Sequence, residues 1–70
     1  MNTMEKALRT YERYARARDA KGVTDYAVSK EIGAAQSTLS DWKRGRCTPK
    51  TERLMKIAAY LGVSIEYFFV

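Results

Sequence analysis

The chain has 70 residues, with 13 Lys or Arg against 8 Asp or Glu, a formal net charge of +5, one Cys and no His. That length fits a single domain, 1–70, with a core of marginal size. The missing His removes the commonest general base and metal ligand, the lone Cys47 permits neither an internal disulfide nor a cysteine metal quartet, and no apolar run approaches a membrane span.

The first residues, MNTMEKALRT, lack the apolar block of a signal peptide. A first helix is expected from about Thr3 to Ala20. Met4, Leu8, Tyr11 and Ala15 recur there at helical spacing, with Ala7 and Tyr14 beside them. Lys21-Gly22 is a helix stop. Thr24 then reads as the N-cap of a second helix, Asp25 to about Ile32, with Asp25 in the first turn where the helix dipole favours an acid. Gly33 ends it.

A third helix is expected from Gln36 to Arg44, closed by Gly45. Pro49 suits the start of a fourth, with Thr48 or Thr51 as its cap, and this helix carries Leu54, Ile57, Ala58 and Leu61 on one face before Gly62. Ser64 can cap a last short helix containing Ile65, Tyr67, Phe68 and Phe69. Neither two-residue alternation nor an Asn-Gly turn points to strands.

At about 100° per residue, Ala35, Leu39 and Trp42 share one side of the third helix. Gln36, Ser37, Ser40, Lys43 and Arg44 take the other, with Thr38 and Asp41 between them. Such a face suits DNA. Gln bonds adenine in a bidentate manner, Ser bonds base edges or phosphate, and Lys or Arg neutralises phosphate. It is also what any solvated helix face looks like. The weighing changes because a helix, a tight turn containing Gly and a second helix with a polar outer face make a helix-turn-helix, here about residues 24–45. Between Asp41 and Lys56 six cations face two acids, a dense basic stretch.

The run from VTDYAVSKEIG through QSTLSDWKRGR to LMKIAAYLGVSIEYFF resembles the xenobiotic response element (Xre) family of helix-turn-helix regulators, the class of the Cro protein and phage lambda repressor. The resemblance covers about Ala15 to Phe69. It implies an all-α, compact five-helix bundle whose third helix enters the major groove of double-stranded DNA. By that analogy Gln36 and Ser37 reach base edges, with Thr38 and Ser40 close to bases or backbone. Thr24 and the start of the second helix face phosphate, as do Lys43, Arg44 and Arg46. Val28, Ile32, Leu39, Trp42, Leu54, Ile57, Ala58, Leu61 and Phe68 form the core.

Three positions depart from the family's pattern. Ala35 replaces a usual Ser cap. Asp25 stands where a Gln often touches phosphate. Ser29 replaces a small Ala and fits if its hydroxyl bonds back to its own helix.

Tyr26 reaches a phosphate or simply lies exposed, and Lys50 extends a phosphate track or is merely solvated. Tyr67, Phe68, Phe69 and Val70 complete the core or pair with a second copy. The expectation is a cytoplasmic transcriptional repressor and not an enzyme, with a homodimer, or a dimer induced by DNA, formed through Tyr67, Phe68 and Phe69. No cofactor, metal, membrane or small-molecule ligand is expected. The alternative is an antitoxin-like or phage-related module whose main partner is another protein.

Overall fold

Asn2 opens the first helix: its backbone is extended and its side-chain oxygen accepts the Glu5 N–H at 2.7 Å. In this computed structural model, which describes residues 2–69, four α-helices follow one another and a 3-10 helix closes the chain. They are α1 (Thr3–Lys21), α2 (Asp25–Ile32), α3 (Gln36–Lys43), α4 (Thr51–Leu61) and the 3-10 helix Ile65–Phe69. No strand occurs among the described residues. Val70, expected in the apolar C-terminal end, lies outside them.

The five-helix expectation thus becomes four α-helices and a 3-10 turn. The last segment holds five residues, too few to repay α-helix nucleation. It starts instead with a tighter bond, Tyr67 N–H to the Ser64 carbonyl at 3.1 Å. The start of α4 also differs from expectation. Lys50 occupies the N-cap position with no side-chain cap, and Thr51 is already helical. Thr51 therefore lies past the position from which a hydroxyl reaches the next free N–H groups. Thr48 is too far upstream, and its Oγ1 is buried without a hydrogen-bond partner.

The apolar stripe on α1 is rotated from the expected one. Ala7, Thr10, Tyr14 and Ala17 are buried, whereas Met4 and Leu8 are exposed. Thr10 is tolerated inside because its hydroxyl donates to the Lys6 carbonyl at 2.7 Å and accepts from the Trp42 indole N–H at 2.9 Å. Met4 and Leu8 instead lie over Gly45, where an added Cβ would come within 3.0 Å of Met4 Cγ. Gly45 also has φ +80, so it serves both the turn and this approach.

Trp42 is the hub of the core and is fully buried. Tyr14 lies against it at 4.8 Å between ring centroids, Tyr11 at 5.4 Å edge-on and Phe68 at 6.3 Å edge-on. Val28, Ile32, Leu39, Leu54, Ile57, Ala58 and Leu61 complete the same cluster. The core side of α3, α4 and the C-terminal turn is therefore the side expected from the sequence.

Candidate nucleic-acid interface

Thr24 caps α2 by accepting the Ala27 N–H at 3.1 Å. At the other end Gly33 takes φ 71, and the Ala34 N–H returns to the Ser29 carbonyl at 2.9 Å. That closure turns the chain into α3 within three residues, a turn that a side chain at position 33 would strain. Ser29 sits buried on the inner side of α2, with its hydroxyl donating to the Tyr26 carbonyl at 2.7 Å. The polar substitution is thus satisfied within its own helix.

Only Leu39 and Trp42 of α3 are buried. Gln36, Ser37, Ser40, Lys43 and Arg44 are exposed, so the outer strip drawn from the helical wheel exists on the surface. Thr38 is half-buried. It lines a groove with Asp41, Lys50, Arg53 and Lys56 against the first turns of α4, and so presents less of itself than its three neighbours. Ala35 occupies the N-cap of α3 with extended backbone and no side-chain cap bond.

The expected phosphate-facing residues fall into two groups. Thr24 and Tyr26 stand exposed at the N-terminal end of α2, and the Lys30 ammonium sits 5.3 Å from the Tyr26 ring centroid. The Thr24 oxygen is engaged in its cap, but its hydroxyl proton remains free to donate. Lys43, Arg44, Arg46 and Lys50 are exposed from the end of α3 into the following loop. Arg46 also meets Asp41 at 3.4 Å, a long contact between solvated groups that leaves the guanidinium available.

Asp25 stands in the first turn of α2, as expected, and is half-buried with its carboxylate tied to α1. Its carboxylate accepts from Tyr14 Oη at 2.7 Å, Tyr11 Oη at 2.9 Å and Arg18 at 2.7 Å, all from α1. Burial works to raise the Asp25 pKa, but the hydrogen bonds from Arg18, Tyr14 and Tyr11 outweigh it and hold the carboxyl below its ordinary value. Burial, then the bond to Asp25, pushes the Tyr14 phenol well up, and the same causes raise Tyr11. A carboxylate paired with Arg18 repels an incoming phosphate less than an unpaired carboxylate at that position would.

Sequence reasoning missed this cluster and the Thr10–Trp42 bond. The available signal was the spacing of Tyr11, Tyr14 and Arg18, which share a helix face just ahead of the break at Gly22.

Residues 15–68 of this fold match the helix-turn-helix family. The chain belongs to that family, a family of DNA-binding regulators. Among solved structures, this helix-turn-helix chain is similar to the restriction-modification controller protein C.AhdI from Aeromonas hydrophila. The TM-score is 0.80 over 90% of this chain and 96% of that one, at 21% sequence identity. A likeness at that identity shows the shared fold. No curated protein matches the chain. No helix among the described residues is long and apolar enough to cross a membrane.

The match to the helix-turn-helix family begins partway along α1. Thr10, Tyr11 and Tyr14, three of the residues that tie α1 to the other helices, therefore precede the matched span.

Proposed function

We propose that the chain is a sequence-specific transcriptional repressor that reads the major groove of DNA with α3. The observation that carries this reading is the exposed strip Gln36, Ser37 and Ser40 running into Lys43 and Arg44, on a helix held from behind by Leu39 and Trp42. Hydrogen-bonding groups at the entering end and cations at the leaving end are what base reading and phosphate clamping require. Gln36 and Ser37 are assigned to base edges, with Ser40 and, less exposed, Thr38 beside them. Thr24 and Tyr26 hold one stretch of backbone; Lys43, Arg44, Arg46 and Lys50 hold another. Repression follows from occlusion of a promoter in the cytoplasm, with residues 1–70 acting as one domain and no catalytic step.

Of the aromatics assigned to a homodimer, Phe68 is taken up by the core and Tyr67 is half-buried against Arg13, whose guanidinium lies 4.2 Å from its ring centroid. Phe69, 53% exposed, remains to meet a second copy. Two copies would read half-sites about one helical turn apart.

The test is the salt dependence of binding to random duplex DNA. Arg44→Ala should flatten the log–log slope by about 0.9, the release of one counterion. An unchanged slope removes Arg44 from the phosphate clamp.

A further inference from the structure

The two outer ends of the helix-turn-helix are fastened to adjacent turns of one helix that is not part of it. Asp25, in the first turn of α2, is held by Tyr11, Tyr14 and Arg18 of α1. Trp42, in the last turn of α3, donates its indole N–H to Thr10 of α1 and packs against the Tyr11 and Tyr14 rings. The turn at Gly33 already joins the inner ends of α2 and α3. With the outer ends tied to α1, the three helices form a closed triangle.

We propose that α1 is a gauge that fixes the angle between α2 and α3, with Thr10 and Asp25 as positioning residues for DNA reading. This rests on α3 being the reading helix. Asp25 is flanked by Thr24 and Tyr26, and Trp42 by Lys43 and Arg44. The two fastened residues therefore stand next to the two groups assigned to phosphate. Fixing them fixes the span between those groups, and with it the depth and register at which Gln36 and Ser37 meet base edges. Thr10 suits this task because one hydroxyl serves both bonds: its proton goes to the Lys6 carbonyl and its lone pair accepts the indole N–H. The bond is buried and directional, so it sets the rotation of the Trp42 ring as well as its depth.

The experiment compares wild type, Thr10→Val, Thr10→Ser and Tyr14→Phe, each at a temperature where melting curves show it folded. Two quantities are read. One is the ratio of affinities for a motif selected by the wild type and for random duplex. The other is amide hydrogen exchange in α3 relative to α4. Thr10→Val should lower the affinity ratio about three- to tenfold, weaken random-duplex binding much less than motif binding with the salt slope kept, and speed exchange in α3 more than in α4. Thr10→Ser should restore both quantities, and Tyr14→Phe should reproduce the loss in part.

An unchanged ratio in folded Thr10→Val overturns the proposal, whatever happens to exchange. So does a uniform rise in exchange with equal loss on both DNAs, which would make Thr10 a stabilising residue and nothing more. If the wild type selects no motif, the DNA-reading assignment fails on its own, and exchange in the free protein decides the gauge. Selective loosening of α3 then supports it, and uniform exchange overturns it.

Discussion

Asp25 and Arg18 form a 2.7 Å ion pair across the junction between α1 and α2, and the phenols of Tyr11 and Tyr14 donate to the same carboxylate. The acid at the head of α2 is thus a structural anchor between helices. Its charge is paired within the fold by Arg18.

The anchor makes stability depend on pH in a defined direction. The Asp25 pKa in the folded chain lies below the ordinary 3.8, so its contribution is present above that value and is lost as pH falls through the folded pKa. Asp25→Asn should destabilise by about 1–3 kcal/mol at neutral pH. Denaturant titrations should show that gap closing in acid. At the other extreme the Tyr14 pKa is raised above its ordinary 10.0. Its contribution is therefore present below pH 10 and is lost as pH climbs through the raised value, and Tyr14→Phe should remove that alkaline sensitivity. A mutant gap that is constant from neutral to acid would contradict the anchor.

Helix α3 begins without a side-chain cap. Ala35 has the extended backbone of a cap, φ -71 and ψ 149, but nothing to offer the free N–H groups of the first turn. Ala35→Ser should raise stability by about 0.5–2 kcal/mol, read as a higher denaturation midpoint with an unchanged slope. No gain would mean that those N–H groups are already satisfied by water.

The C-terminal aromatics divide sharply. Phe68 is buried against Trp42, and Phe69 lies on the surface beside the Lys6 ammonium, 5.9 Å from its ring centroid. Phe68→Ala should cost about 3–5 kcal/mol. Phe69→Ala should cost under about 1 kcal/mol as a monomer and should abolish any self-association seen by sedimentation. Equal losses in the two variants would contradict this division.

Much of the fold was legible because it follows from local rules. Thr24, Gly33 and Gly62 mark helix ends through capping and left-handed backbone, and the Leu54–Ile57–Ala58–Leu61 face follows from helical spacing. The outer strip of α3 was legible for the same reason: Leu39 and Trp42 fix which side is buried. The buried face of α1 was not. Thr10 reads as a surface residue, and only a partner far along the chain, Trp42, makes its burial favourable. The tie of Asp25 to α1 was not legible either, because local rules explain an acid in a first turn, where Asp25 does stand, without reference to the Tyr and Arg donors of another helix. The helix count erred at the end of the chain, where five residues fit a 3-10 turn better than an α-helix.

The central claim is that α3 reads DNA sequence through Gln36. The direct measurement is selection of bound sequences from a random duplex pool, with wild type and Gln36→Ala side by side at one moderate salt concentration. The account predicts that the wild type enriches a short motif, that Gln36→Ala loses the preference at one position of it, and that this costs about 1–3 kcal/mol on the motif with little change on random duplex. A motif enriched equally by both proteins, or none enriched by the folded wild type, would contradict it.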